Sequence, residues 1–237
     1  MLQRATTTIN FVRLGILALP VSGLLTLVGL LGRNDMPNPR VAPKQTAEAA
    51  SSGVYVVSQF VGNVLGLTLL IFGVLALTVY LAGIRGKGVA LAAMILSVAG
   101  IAPIMSAMGV TTYALPVLGR AYLNGQQDAL QVVEALFDKP LTTIFFVAFL
   151  LYTAGFILFG VGIWRSGVLP KGASISVGIH APLFSSFIQS PPGILTIVGS
   201  ILFIFGGTLI ALRVFRKPSV GQAGTEAEPS TAGGHGS

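Results

Sequence analysis

The sequence predicts an all-α protein, a polytopic membrane helix bundle with six transmembrane helices and one external amphipathic helix. Three observations predict this fold class. Of the 237 residues, 53% are hydrophobic and only 9% are charged, whereas soluble domains carry about 25% charged residues. The apolar residues form continuous runs rather than alternating with polar ones, which favours spanning helices over barrel strands. The basic residues are spread through short connectors, a charge pattern typical of multi-pass proteins.

The predicted spans are apolar runs that approach or exceed the roughly 20 residues a helix needs to cross a bilayer. They cover residues 14–31, 57–81, 89–109, 141–164, 173–188 and 194–214. The first run follows a basic start and is compatible with a cleaved signal peptide, but no small-x-small cleavage pattern follows Leu31, which favours an uncleaved span. The proline-rich stretch from Arg33 to Gly53 is predicted to be an exposed tether, with at most a short helical turn over Thr46 to Ala50.

The charge distribution decides whether the short fifth segment, residues 173–188, crosses the membrane. With six spans, one side holds nine basic residues and the other holds five. Without the fifth crossing the counts become six and eight, which contradicts the cytoplasmic excess of basic residues. The sequence therefore predicts six spans in the cytoplasmic membrane with both termini in the cytoplasm. The nine are Arg4, Arg13, Arg85, Lys87, Arg165, Lys171, Arg213, Arg216 and Lys217, and the five are Arg33, Arg40, Lys44, Arg120 and Lys139.

Two segments are predicted to lie outside the bilayer. Residues Gln126 to Phe137 place an apolar stripe at helical spacing on an otherwise polar segment, which predicts a helix along the outer membrane surface or capping the bundle. Its acids Glu134 and Asp138 lie one turn apart, and a solvated face is favoured over a metal or acid–base pair. Residues 218–237 have no apolar face and are predicted to be a disordered cytoplasmic tail.

A few polar side chains lie inside the predicted spans, and they are the candidate functional residues. Gly62, Gly66 and Gly73 lie on the same helix face as Gln59 and Asn63. Small residues such as glycine let helix backbones approach closely. The alternatives are a polar site or path through the bundle and simple interhelical packing, of which packing is favoured. The candidate intramembrane polar residues are Gln59, Asn63, Ser97, His180 and Ser185, and the candidate helix-packing glycines are Gly62, Gly66 and Gly73.

His180 is the only side chain inside a predicted span that titrates near neutral pH. A lipid-facing imidazole would lack a hydrogen-bond partner, so we expect the ring to point into the bundle. Counting about 1.5 Å per residue from the cytoplasmic side places Ser97 at a similar depth, which predicts a hydrogen bond between the two. The alternative is that His180 bonds only to backbone or to a serine of its own helix.

Several kinds of chemistry are disfavoured by what the sequence lacks. The absence of cysteine excludes disulfides and thiolate sites. The only other histidine is His235, and no acid lies inside a span, so we expect no metal site, no catalytic residues and no cofactor. The net charge of +7 is spread over loops, so no nucleic-acid partner is expected. The expected partners are membrane lipid and, in an accessory role, another membrane protein.

One connector carries a resemblance to a known group of proteins. The run from Gly162 to Lys171, Gly-Ile-Trp-Arg-Ser-Gly-Val-Leu-Pro-Lys, resembles the connector of a group of uncharacterised bacterial six-span membrane proteins. Residues Leu123 to Asp138 are also similar to the outer helix of that group. The resemblance implies a domain of unknown function with this architecture, and it implies no chemistry. The lone His180 and the neighbouring Pro182 do not match it.

Three functions are open on the sequence alone. First comes a structural or accessory membrane component, second a carrier or channel for a small, weakly polar solute, and third a lipid-modifying membrane enzyme. An enzyme would need paired acids or a histidine cluster at the membrane surface, which the sequence lacks, so the chain is not expected to be one. A bundle interior lined by Gln59, Asn63, His180 and Ser185 would favour transport.

Overall fold

A computed structural model describes residues 2–33, 41–84, 87–136, 139–185 and 193–216, and within these residues every regular element is helical. The third helix passes through a π-helical segment, Phe60–Gly66, directly into the fourth. The elements are α1 (Leu2–Leu31), α2 (Pro43–Ser51), α3 (Gly53–Gln59), α4 (Leu67–Ala82), α5 (Lys87–Leu123), α6 (Ala129–Leu136), α7 (Lys139–Ser166), α8 (Lys171–Ser185) and α9 (Ile194–Arg216).

Five helical stretches in the described residues are long and apolar enough to cross a membrane, so the chain is an all-helical protein with the character of a multi-pass membrane protein. Helix α8 is the predicted span that does not reach this length. Its 15 residues are roughly 22 Å long at 1.5 Å per residue, whereas a hydrocarbon core is about 30 Å thick. Residues 186–188 of the predicted span lie outside the described part of the chain. The five stretches are Phe11–Leu31, Gly53–Ala82, Lys87–Leu123, Leu141–Ser166 and Ile194–Arg216.

The stretch between the first two spans corrects the prediction of an exposed tether. Pro43 opens helix α2 at a first-turn position, where its missing N–H costs nothing. Thr46, Ala47 and Ala50 are buried, and α2 packs against α5. The sequence argument missed this helix because its buried face is made of alanine and threonine, which carry little hydropathy. Residues 34–40 of the predicted tether lie outside the described ranges.

Helix α5 continues to Leu123, well past the predicted end of the third span at Gly109. Pro116 lies inside this extension without ending it. The extension is held by packing: Leu115 is buried with Ala47 and Tyr55 in a small cluster apart from the main core, and the Tyr55 hydroxyl donates to the carbonyl of Thr111 at 3.3 Å. Tertiary contacts therefore stabilise the helix beyond Gly109, although this part contains a proline.

Among the described residues the amphipathic segment is helical over Ala129–Leu136, which begins three residues after the predicted start at Gln126, and the predicted end at Phe137 lies outside the described residues. Residues 124–128 form turns before it, and the helix contacts α5. The side chains of the predicted acid pair, Glu134 and Asp138, lie outside the described part of the structure, as does the predicted tail over residues 218–237. The position of helix α6 outside the membrane stays a prediction.

Six helices close into a ring in the order α1, α4, α5, α7, α8, α9 and back to α1. Neighbours run antiparallel: a Cβ built on Gly23 would touch Ile204, and one on Gly207 would touch Pro20, which pairs the end of α1 with the start of α9. Helix α8 occupies one full place in this ring, between α7 and α9. Among the described residues, only α4 and α7 approach each other across the ring to any extent.

The two ends of the helix ring, along its axis, are packed differently. The end that contains the start of the apolar part of α1 is packed with fully buried apolar side chains, and we call it the closed end. Beside it, Arg213 of α9 donates to the carbonyl of Val168 at 3.1 Å. The opposite end contains cavities. The side chains that fill the closed end are Ile16, Leu77, Leu81, Phe159, Ile163 and Ile210.

Candidate functional site

Two adjoining cavities lie inside the ring, and Thr26, Leu67 and Phe184 line both of them. The first, which we call the Arg33 cavity, measures about 450 Å³ with its opening. The second, the His180 cavity, measures about 300 Å³, again with its opening. The Arg33 cavity is also lined by Gly29, Leu30, Arg33, Gln59, Gly62, Asn63, Ile104, Met108 and Phe149. The His180 cavity is also lined by Ser22, Gly23, Leu70, Tyr152, Ser200 and Phe203.

The structure brings together three of the five polar residues singled out in the sequence. Gln59 and Asn63 line the Arg33 cavity, and His180 lines the adjoining one. Ser97 and Ser185 belong to neither lining. The candidate glycines Gly62, Gly66 and Gly73 all face α1, where an added Cβ would approach Gly29, Thr26 and Leu19 respectively.

The π-helical segment Phe60–Gly66 sets the geometry of the Arg33 cavity. A π-helical turn holds an extra residue compared with an α-helical turn and is frequently found at functional sites. Gln59 lies just before the segment and Asn63 lies within it. The Gln59 side chain is buried and its Nε2 donates to the carbonyl of Gly29 on α1 at 2.8 Å. Gln59 is thereby tied to α1, and Asn63 is tied to Gln59 and to Thr112 of α5.

The hydrogen bonds of these amides fix their orientation. The carbonyl of Gly29 can only accept, so the Gln59 nitrogen faces it and the Gln59 oxygen faces Asn63. Asn63 Nδ2 must then donate, at 3.0 Å to Gln59 Oε1 and at 3.3 Å to Thr112 Oγ1. The Thr112 hydroxyl donates to the carbonyl of Met108. This chain leaves the Asn63 carbonyl oxygen as an acceptor in the cavity wall.

His180 is buried and both of its ring nitrogens have partners. Nδ1 lies 2.7 Å from the carbonyl of Val177, and Nε2 lies 3.0 Å from the Tyr152 hydroxyl. Because a carbonyl only accepts, Nδ1 carries the hydrogen, and in the neutral ring Nε2 is therefore an acceptor. The Tyr152 hydroxyl consequently donates to His180.

The predicted bond from His180 to Ser97 is wrong. Ser97 Oγ has no hydrogen-bond partner among the described residues and packs against Gly155 of α7. The depth argument placed the two side chains at similar levels but ignored the order of helices around the ring. Helix α7 lies between α5 and α8, so the side chain that reaches His180 comes from α7.

Tyr152 is the functional residue that the sequence argument missed. It is buried, although tyrosine is typically found at the ends of spans, where its hydroxyl meets water. A tyrosine ten or more residues from either end of a long apolar run was the available signal, because a buried hydroxyl nearly always has a partner.

Aromatic rings surround the imidazole. The ring centroids of Phe203 and Phe156 lie 4.4 and 4.7 Å from that of His180. Phe184 stacks beside Tyr152 at 5.9 Å and beside Phe149 at 6.2 Å, so it forms part of the boundary between the two cavities. The hydrogen-bonded His180–Tyr152 pair is therefore a polar pair surrounded by aromatic side chains.

Arg33 is the only charged residue in the described lining of either cavity. It follows the end of α1, and its side chain is half-buried. Burial lowers the pKa of its guanidinium from the ordinary value, and the nearby Tyr55 raises it in part. No group of three or more histidine, aspartate or glutamate side chains that could hold a metal ion occurs among the described residues.

Ser185 has a packing role in this structure. Its hydroxyl lies 2.7 Å from the hydroxyl of Thr153 and donates to the carbonyl of Ala181 at 2.8 Å. A second link between the same helices, from Ser174 to the carbonyl of Gly160 at 2.6 Å, lies nearer the other end of α8. The two links fix α8 against α7 along its length.

Comparison with known proteins gives no match to a protein family, to a curated protein or to a solved structure. The resemblance of the Gly162 to Lys171 connector to bacterial six-span membrane proteins therefore stays a prediction. The function has to be argued from the ring and its cavities.

A double-mutant cycle tests the His180–Tyr152 pair. We expect His180→Leu and Tyr152→Phe each to reduce the free energy of unfolding by about 1–3 kcal/mol, because each leaves a buried polar atom unpaired. Their effects should be non-additive, with a coupling of about 0.6 kcal/mol or more. The measurement is reversible unfolding in mixed micelles. His180→Leu with Ser97→Ala is the control and should show no coupling; coupling there instead would contradict the geometry.

Proposed function

We propose that the protein is a six-span protein of the cytoplasmic membrane that binds a small, weakly polar solute inside its helix ring and carries it across. The observation that carries the proposal is the pair of adjoining cavities, lined by Gln59, Asn63, Tyr152 and His180. Ligand sites are concave and mostly apolar, with a few placed polar groups. On the sequence alone an accessory role ranked above transport, and the cavities reverse that order.

The position of α8 supports six crossings. Cβ atoms built on Gly172, Gly206 and Gly199 would touch Leu209, Val177 and the His180 carbonyl in turn, so α8 runs beside most of α9. Ring closure by six antiparallel helices needs an even number of crossings. Together with the excess of basic residues on one side, this supports an orientation with both termini in the cytoplasm and α6 outside.

In this orientation the closed end faces the cytoplasm and the Arg33 cavity faces outward. Among the described residues the closed end is packed with buried side chains such as Phe159 and Leu77, and this packing would block a solute from passing on to that side. Passage therefore requires a second arrangement in which the closed end parts, which is the behaviour of a carrier rather than a permanently open channel.

The second candidate function is that of an accessory membrane component. It is favoured by the extension of α5 beyond the ring, where α2 packs in a cluster separate from the main core. Tyr113 and Val117 are exposed on this extension. The partner in this role would be another membrane protein, and the lipid bilayer is a partner in both functions.

A flux assay tests transport. Proteoliposomes with the wild-type chain should swell faster than empty liposomes in glycerol or urea gradients, measured by stopped-flow light scattering. Thr26→Phe should abolish most of this difference, because Thr26 lines both cavities. Val28→Phe is the matched control, since Val28 is exposed on the same helix. Gel filtration and melting in detergent check folding. Equal swelling with and without protein would contradict transport of these solutes.

Cysteine labelling tests the orientation, because the chain has no cysteine of its own. Gln45, Gln127 and Gly172 are exposed, and single cysteines at these positions cost little packing. In right-side-out vesicles an impermeant maleimide should label positions 45 and 127 and spare position 172. Labelling of position 172 from outside would exclude the proposed topology.

A further inference from the structure

Most of the hydrogen-bond donors that line the His180 cavity already donate to an acceptor within the protein. The hydroxyl of Ser22 donates to the carbonyl of Leu19 at 2.8 Å, and that of Ser200 donates to the carbonyl of Thr196 at 3.0 Å. The hydroxyl of Tyr152 donates to His180. Each of these hydroxyl oxygens has lone pairs that can accept a further hydrogen bond, but its own hydrogen is already used in the bond just described. The groups that line this cavity therefore offer acceptors.

Two further polar groups line the Arg33 cavity, and one of them is shared with the His180 cavity. The Asn63 carbonyl oxygen is an acceptor, because both amide hydrogens are used in bonds to Gln59 and Thr112. The Thr26 hydroxyl lines both cavities and has no hydrogen-bond partner among the described residues, so it can donate. A bound group here meets several acceptors and one hydroxyl donor.

The charges of the lining limit the ligand further. Within the described residues no acid lines either cavity, so a cation would lose its hydration without gaining a counter-ion. An anion in the His180 cavity would meet acceptors such as the hydroxyl oxygens of Ser22 and Ser200 and one hydroxyl donor, that of Thr26, which is too little to replace its hydration. The lining is thus matched to an uncharged molecule.

We propose that the His180 cavity binds the hydroxyl group of a small neutral alcohol, with its short apolar part against Phe203 and Phe184. A hydroxyl donates to one of the acceptor oxygens and accepts from Thr26, whereas an ether or a ketone only accepts. This inference rests on the proposed function, since it names the class of solute that the ring takes. It predicts that selectivity follows the presence of an O–H donor rather than size.

Ethanol and dimethyl ether test the inference, because they are isomers of similar size and only ethanol can donate. The readout is the ring ¹⁵N resonances of His180 in micelles, in a His235→Ala chain that leaves one histidine. Ethanol should shift the Nε2 resonance through Tyr152 and bind about tenfold more tightly than the ether. Ser22→Ala with Ser200→Ala should weaken ethanol binding by several-fold and leave ether binding unchanged.

The outcomes separate this inference from the proposed function. Equal binding of both isomers, lost in Thr26→Phe, would overturn the preference for a donor while leaving a solute-binding ring. No shift with either isomer, while glycerol or urea flux persists, would overturn the alcohol site alone and indicate that water occupies the cavity. No shift and no flux would overturn both proposals.

Discussion

Gly100→Ala is expected to be the most damaging small substitution in the ring. Gly100 of α5 faces α7, and an added Cβ would lie 2.6 Å from the Ala148 carbonyl oxygen and 2.8 Å from Tyr152 Cα. These are backbone atoms, so no side-chain rotation relieves the contact and the two helices have to separate. We expect a loss of about 3 kcal/mol in the free energy of unfolding.

The effect of Gly100→Ala should extend to the site, because α7 carries Tyr152 to its bond with His180. The measurement is unfolding in mixed micelles together with the His180 ring resonances. Gly109→Ala is the matched control on the same helix, since nothing lies within 4 Å of a Cβ there. Alanine is the better helix former by about 1 kcal/mol, so the control should be neutral or slightly stabilising. A similar loss in both variants would show that the α5–α7 contact is not tight.

Gly62→Ala should have the second largest effect, through the seam between α1 and the π-helical segment. An added Cβ would lie 2.5 Å from Gly29 Cα, where two backbones touch directly. Separation of the two would lengthen the bond from Gln59 to the Gly29 carbonyl, now 2.8 Å. We expect a loss of about 1–3 kcal/mol and weaker solute binding in the Arg33 cavity.

Gly53→Ala is the control for this seam, because Gly53 opens the same continuous helix and its added Cβ meets nothing within 4 Å. Both variants are measured by melting in detergent and by protein-dependent glycerol flux. Stability and flux that survive Gly62→Ala unchanged would mean that α1 and the π-helical segment are not in contact in the membrane.

Hydropathy predicted the long helices because the physical rule that it reflects acts within a single segment of the chain. A chain in hydrocarbon has to satisfy its backbone hydrogen bonds within itself, so an apolar run of sufficient length becomes a helix whatever lies beside it. Five predicted spans, residues 14–31, 57–81, 89–109, 141–164 and 194–214, each lie inside a longer described helical stretch. The same rule failed for α2, whose buried face of alanine and threonine becomes helical through its contact with α5.

The site depended on information that no single segment carries. The sequence identified Gln59, Asn63 and His180 as polar residues at membrane depth, and the structure places all three in cavity walls. It paired His180 with Ser97 because helical rise gives depth, whereas rotation about the bundle axis is set by which helices are neighbours. That order, with α7 between α5 and α8, is decided by close contacts between glycine faces of different helices. The sequence by itself therefore predicted the long apolar helices and their polar residues, and only tertiary packing decided that Tyr152 meets His180, because a contact requires a shared direction as well as a shared depth.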